Sequence, residues 1–453
     1  MTDLDLNLLL AAVVVSPACL FLLFSAAWLM GWEPSEKILT RSSGVMFSLS
    51  LLAVGYLSVS MIIDGKTQML VSVGEWFHSG EYKFPLALLA DRLSLPLLAL
   101  TVLLSGLIAS FSRRYLHRDR GFFRFFLLLH LFAFGASLVF TAASFDLMLG
   151  GWELVGISSV LLIGFFNERK APVSNALRVF GFYRIADLGL LLGIFFLHHV
   201  LGSSATANIF LGVWPNQVSE LGFSSATAAG LLFLLAASGK SAQFPFCSWL
   251  PRAMEGPTPS SAIFYGAISV HMGAYLLLRA QPILAVSPVA AGATMVVGLV
   301  TAFLGTLSHR VSADAKTSLA YASMTQLGLI FVEIGLGFSW LALIHILGHA
   351  LVRTLQFLRA PSMLHDYHRM HSAAAGHLAK TGKHYDLFVP AGVQLWLYRM
   401  GLERGFIDVM IDRFIVGPTV RIAHFLAMFE PKRNSVVAVT AEVREEMVEG
   451  IDA

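Results

Sequence analysis

Apolar stretches of membrane length recur from residue 7 to residue 360, and nothing else in the sequence limits the fold as strongly. A helix needs about 20 predominantly apolar residues to cross the hydrocarbon core. Inside that core only helices or a closed barrel satisfy every backbone N–H and C=O, and continuous apolar runs, rather than alternation, select helices. Eleven are predicted, at 7–30, 41–63, 90–111, 122–142, 146–166, 173–199, 224–243, 259–280, 285–308, 317–337 and 339–360. Composition agrees: 56% of residues are hydrophobic, 13% are charged and mean hydropathy is +0.72. A soluble domain carries about 25% charged residues. The fold class is therefore an all-α polytopic membrane protein, with the lipid bilayer as its first partner.

Several function classes drop out. The net charge of +3 is too small, and its basic residues too scattered among short loops, to suggest nucleic acid. Cys19 and Cys247 lie far apart in separate apolar segments and point to no disulfide, metal or iron–sulfur site. Gly239-Lys240-Ser241 looks like the end of a phosphate-binding loop, but Leu234 stands where that motif needs glycine and no strand precedes it. No cofactor is implied. The first residues, MTDLDLN, lack the basic start of a cleavable signal, so the first apolar segment is expected to be a retained span.

Between the second and third spans, residues 64–89 alternate too much to cross the membrane and read as a short external hairpin. Basic residues concentrate in the odd-numbered connections: Lys37 and Arg41, Arg113 to Arg124, Arg169 to Arg178, Arg252, and Arg310 with Lys316. The even-numbered ones hold little beyond Lys66, Lys83 and Arg279. The positive-inside rule then places the N-terminus outside and the C-terminus in the cytoplasm. From 361 to 453 the chain becomes polar and amphipathic, with a histidine cluster (His365, His368, His371, His377, His384) read as solvated rather than metal-binding. Residues 387–429 suggest helices lying on the membrane or on a partner, with a shallow twelfth segment near 387–400, and the last residues form an acidic tail.

Ionisable residues at membrane depth are expensive and mark function by default. The fifth helix carries Glu153, the sixth Arg184 and Asp187 on one face, and the seventh Lys240 with the helix breaker Pro245 five residues on. His345, His349 and Arg353 repeat every four residues and form one polar stripe. Such a set on different helices suits a proton relay. A carboxylate from Glu153 or Asp187, moving toward or away from Lys240, would make the lysine hold or release a proton. The break at Pro245 would free a carbonyl near Ser241 and admit water. Histidine titrates near neutrality and exchanges protons at two nitrogens. The blander readings are a static Lys240–Glu153 ion pair, a structural Arg184–Asp187 pair, and a metal pair at His345 and His349, which lacks the glutamate of a zinc protease motif. His271 and Glu333 are accessory candidates. A single histidine on an apolar helix, such as His130 or His271, is more often a satisfied core residue, and Glu333 lies near a helix end, within reach of the interface.

The stretches LLADRLSLPLLAL, GGWELVGISSVLLIGFF, YRIADLGLLLG, GKSAQFPFCSWLPRAMEGPTPSSA, SADAKTSLAYASMTQLGLIF and HILGHALVRTLQFL carry a resemblance, in order, from about residue 75 to 360. Together they resemble the antiporter-like, proton-pumping subunits shared by respiratory complex I and multisubunit cation/proton antiporters, in the branch of NADH-quinone oxidoreductase subunit L (chain 5). The resemblance implies two inverted five-helix repeats, each with a broken helix, following three N-terminal helices in residues 1–121. The first repeat would occupy 122–284, and a truncated second one 285–360. It assigns Glu153, Asp187, Arg184, Lys240, His345 and His349 to the proton pathway. Arg353 stands where the family usually has a lysine, and Tyr265 where it has a histidine, with His271 six residues later. A second broken helix with its lysine is not evident. The implied function is proton translocation in a bacterial inner membrane, with partners that are other membrane subunits of a complex I-like or antiporter-like assembly. Shortened relatives instead accompany a soluble carbonic-anhydrase-like zinc protein in inorganic-carbon uptake. Loss of pumping would leave a scaffold subunit.

Overall fold

The computed structural model describes residues 3–79, 82–373, 389–411, 413–414 and 417–427. Its long helices are α1 (Asp3–Leu29), α2 (Glu36–Ile63), α3 (Ser94–Tyr115), α4 (Phe122–Thr141), α5 (Phe145–Ile163), α6 (Lys170–Leu201) and α7 (Phe223–Lys240). They continue as a composite α8 (Thr258–Arg279), α9 (Pro288–Val311), α10 (Ala315–Gly335) and α11 (Ser339–Ala373). Among the described residues, ten helices are long and apolar enough to cross a membrane. The tenth predicted span, 317–337, forms α10, but its Thr317, Ser318, Ser323, Thr325, Gln326 and Glu333 dilute its hydropathy. Helix α10 packs against α9 and α11, so it need not be apolar all round.

Residues between α2 and α3 form an antiparallel hairpin, β1 (Gln68–Ser79) and β2 (Tyr82–Asp91), with Gln68 opposite Asp91. Helices α6 and α7 approach very closely. A Cβ on Gly239 would lie 2.0 Å from that of Ala186, and one on Gly189 would lie 2.4 Å from the Leu232 carbonyl oxygen. Only glycine fits at such a crossing.

The seventh helix was expected to run to residue 243 and break at Pro245; it ends at Lys240 instead. The proline ring strikes the carbonyl four residues earlier, which is that of Ser241, so the last helical residue is the one before it. Several of the freed groups are held. Gln243 N–H donates to the Ser238 carbonyl at 2.8 Å, and its side-chain amide to the Ser241 carbonyl at 2.9 Å. Phe244 N–H donates to Thr301 Oγ1 at 2.9 Å. Helix α8 is irregular too, with a π-helical stretch at Ala262–Ala267 and a 3₁₀ turn at Ser269–His271 before it resumes at Met272. Such bulges concentrate at functional sites.

A short helix α12 (Ala391–Leu402) stands where a shallow twelfth segment was expected; at 12 residues it covers about 18 Å, too little to span. It is tied to α9 by the Ser308 hydroxyl donating to the Gly401 carbonyl at 3.1 Å, while Leu395, Trp396 and Tyr398 stay exposed. From Glu403 onward the chain forms a separate unit with helices at Ile407–Ile411 and Gly417–Ala427. The histidine cluster's side chains and the acidic tail lie outside the described residues.

Candidate functional site

Helix α5 begins at Ser144, whose hydroxyl accepts the Leu147 N–H at 3.2 Å and caps the helix. That start places Trp152 and Glu153 beside Tyr183, Arg184 and Asp187 of α6. The Arg184 guanidinium donates to Asp187 Oδ2 at 2.7 Å and also to Glu153 Oε2, so one arginine holds both acids. The Trp152 indole N–H donates to Asp187 Oδ1 at 2.5 Å. Asp187 is buried, while the Glu153 and Arg184 side chains are 36% and 40% exposed and line a groove on the outside of α5 and α6.

Lys240 is 1% exposed at the broken end of α7. Its ammonium donates to the Trp152 carbonyl at 2.9 Å and lies 4.5 Å from the Tyr183 ring centroid and 5.0 Å from that of Trp152. The direct Lys240–Glu153 ion pair considered from the sequence is not formed, because Arg184, on the same face as Asp187, takes both carboxylates first. Asp187 and Glu153 act on the ammonium through space. Room for it comes from Gly156, where a Cβ would sit 3.1 Å from Nζ.

The second cluster joins α8, α10 and α11. His345 Nδ1 meets Glu333 Oε1 at 2.8 Å and its Nε2 meets Gln326 Oε1 at 3.0 Å. As placed, both ring nitrogens donate, which only imidazolium does; a flipped Gln326 amide donates instead and suits the neutral ring. Glu333 therefore turns inward to a histidine rather than out to the interface. His271 bonds the Ala267 carbonyl through Nδ1 and reaches His349 Nδ1 with Nε2 at 2.9 Å, so it is part of the cluster. His349 Nε2 is buried without a partner. Arg353 continues the stripe, but its Nη1 donates to Gln356 Oε1 at 2.8 Å rather than to a histidine. His130, in contrast, is a satisfied core residue, held by the Phe126 carbonyl at 2.6 Å and the Ser43 hydroxyl at 3.1 Å.

Aromatic packing runs from the first cluster to α8, the helix that carries His271: Trp249 lies edge-on to Tyr183 at 5.2 Å and to Tyr265 at 5.7 Å. The Tyr265 hydroxyl is buried without a partner, while those of Tyr183 and Ser269 face each other in the interior. Sequence reasoning passed over Trp152, Tyr183 and Gln326, whose roles arise from neighbours on other helices. It also counted Arg279 among the loop residues; the structure buries Arg279 completely against Asp91 at 2.5 Å, at the end of the hairpin.

A bundle of membrane-length helices with an interrupted helix ending on a buried lysine, and acids and histidines gathered beside it, defines a polytopic membrane protein of the antiporter-like class. The family model described as NADH:quinone oxidoreductase/Mrp antiporter, TM, matches residues 142–388, over half of the sequence, and the chain belongs to that family. A model for the N-terminus of NADH-ubiquinone oxidoreductase (complex I) chain 5 matches residues 76–126. Among curated relatives, NAD(P)H-quinone oxidoreductase subunit 5, chloroplastic, of Gerbera jamesonii is 33% identical over 341 residues, covering 74% of this chain and 46% of that protein. The same protein of Cichorium intybus is 32% identical over 322 residues, 71% of this chain and 43% of that one. The chain thus spans about half the length of these relatives. Among solved structures, the Mrp complex from Dietzia sp. DQ12-45-1b matches with a TM-score of 0.65 and 27% identity, over 78% of this chain and 37% of that one. The membrane-bound sulfane sulfur reductase, an archaeal respiratory membrane complex, shares the fold at a TM-score of 0.64 and 17% identity, over 77% and 70%.

Proposed function

We propose that this chain is a proton-translocating membrane subunit of a complex I-like or antiporter-like assembly, working through Glu153, Arg184, Asp187, Lys240, His271, Glu333, His345, His349 and Arg353. The observation that carries the reading is Lys240, a buried ammonium whose hydrogen bond goes to a backbone carbonyl while two acids wait on a neighbouring arginine. Burial alone disfavours the ammonium and a nearby carboxylate favours it. Motion of Arg184 that frees Asp187 or Glu153 toward Lys240 stabilises the protonated lysine, and its return lets the proton go. The unpartnered Tyr265 hydroxyl and His349 Nε2 are places where water bridges naturally. Arg353 steers charge rather than carrying protons, since arginine hardly deprotonates.

Proton flux in vesicles reconstituted with the assembled complex tests this. Lys240→Ala or Glu153→Gln should abolish coupled flux with assembly intact, and normal flux in both sinks the pathway. A scaffold role predicts instead that Lys240→Leu is tolerated. The odd-numbered connections are proposed to face the cytoplasm of a bacterial cell, which impermeant labelling of cysteines placed at Arg113 and Lys66 decides. Co-purification tells whether the partners are quinone-oxidoreductase or antiporter subunits, or a carbonic-anhydrase-like zinc protein, for which the exposed apolar residues of α12 offer a surface.

A further inference from the structure

On α5, Asp146 precedes Glu153 by seven residues, two turns and about 10 Å along one face. On α6, His198 follows Asp187 by eleven residues, close to three full turns, so the two helices carry a second charged pair toward the hairpin end. His198 Nε2 lies 3.2 and 3.1 Å from the two Asp146 carboxylate oxygens, and the Ser204 hydroxyl donates to Oδ2. Asp146 is 4% exposed and Ser204 fully buried. An acid in the first turn of a helix is favoured by the helix dipole, but that explains neither its burial nor its pairing with histidine.

Backbone bonds fix the surroundings. Phe145 N–H donates to the Ser204 carbonyl at 3.2 Å, Thr206 N–H to Ala143 at 2.9 Å, and Ala143 N–H to Ala87 of β2 at 3.0 Å. Two residues beyond Ser204, Thr206 joins Gln68 and Gln217 in lining a cavity of about 230 Å³. Between this pair and the Glu153 cluster lies an apolar layer. The Phe145 and Phe233 rings are 4.9 Å apart, Phe233 fills the notch at Gly193, and Met148, Leu190 and Ile194 are buried around them. Other titratable groups on the packed elements are held by partners of their own: His130 of α4 by Phe126 and Ser43, Asp91 of β2 by Arg279, and Lys240 of α7 by Trp152. His199, beside His198, is exposed.

We propose that Asp146 and His198, positioned by Ser204, form a terminal proton-exchange site at the hairpin end of the α5–α6 interface, across an apolar layer from Glu153 and Asp187. The inference rests on the proton-translocation reading. With Nε2–H donating to the carboxylate, the neutral ring takes up an arriving proton and becomes an imidazolium paired with Asp146. Loss of one ring proton to water restores the neutral imidazole, and no electron changes hands. The apolar layer keeps this site from short-circuiting the deeper one and opens to water only during transfer.

The test is flux in vesicles carrying the complete complex, with Asp146→Asn, His198→Gln and His198→Ala beside Glu153→Gln as control. Positioned acid–base groups contribute large factors, so Asp146→Asn and His198→Gln should lower flux about tenfold or more. His198→Gln should also alter the pH dependence of flux, because it removes a group that both takes up and releases protons. Added imidazole should restore flux in His198→Ala, which a packing role would not allow. Unchanged flux and pH profile in Asp146→Asn and His198→Gln overturn the proposal, as does an assembled, inactive His198→Ala that imidazole leaves inactive. If His198→Ala does not assemble, the His198→Gln pH profile decides. Normal flux in Glu153→Gln would bring down the parent reading instead, so the two failures are distinguishable.

Discussion

Replacing Arg279 with methionine should cost the fold about 3–5 kcal/mol, the usual penalty for stripping one partner from a buried ion pair. Arg279 is 0% exposed and Asp91 2%, and the guanidinium reaches both carboxylate oxygens, at 2.5 and 3.2 Å. Its Nη2 also donates to the Tyr275 hydroxyl at 3.2 Å, which donates to the Phe140 carbonyl at 2.7 Å. Without the cation, Asp91 keeps the backbone N–H groups of Leu93 at 3.0 Å and Ser94 at 2.8 Å, too little for a buried carboxylate. Methionine fills most of the volume, so the loss is electrostatic rather than a cavity. Asp91→Asn should cost a similar amount by stranding the guanidinium. The double variant Asp91→Asn, Arg279→Met should cost less than either single change, because no uncompensated charge remains. Denaturant titration of the purified protein, followed by circular dichroism, measures all three. Single changes below about 1 kcal/mol, or a double variant equal to the sum, would refute the reasoning. Acidity supplies a second readout. Burial pushes the Asp91 carboxyl up, but the Arg279 charge and the hydrogen bonds it receives outweigh this and hold it below the ordinary carboxylate value of 3.8. A depressed value in the folded state means that the pair's stabilisation is full above the unfolded value and lost as pH falls through the folded one. In Arg279→Met only the hydrogen bonds from Leu93 and Ser94 still oppose burial, so acid destabilisation should begin at higher pH.

Gly156→Ala should reduce proton flux with assembly unchanged, since the new Cβ would lie 3.1 Å from Lys240 Nζ and push the ammonium off the Trp152 carbonyl. Gly239→Val should destabilise the protein by at least about 1–3 kcal/mol in the same titration, because the Cβ would meet that of Ala186 at 2.0 Å and force α6 and α7 apart. Ser144→Ala removes the cap at the start of α5 and should cost about 1 kcal/mol.

The sequence made the helices legible because bilayer thickness acts directly on residue type: a span must be long and apolar whatever it packs against. It also exposed Glu153, Arg184, Asp187, Lys240, His345 and His349, since a charge in such a span stands out from its surroundings. Glu333 and His271 were visible only as accessory candidates, because a carboxylate near a helix end and a lone histidine each have bland uses. Asp146 had a signal in its spacing of seven from Glu153, but its proximity to a helix start disguised it. Arg279, near a helix end, looked like any loop cation.

By itself, then, the sequence determined most of the membrane helices, an interruption of the seventh near Pro245 and the set of ionisable residues, because hydropathy and proline geometry are local properties. Pairing is not local. Tertiary structure decided that Arg184 holds both Glu153 and Asp187, that Lys240 rests on Trp152, that His271 meets His349, and that Asp146 meets His198. Apart from the local Arg184–Asp187 pair, each of those contacts joins atoms far apart in the chain, and which partner a buried charge finds depends on which helix faces the packing turns toward one another.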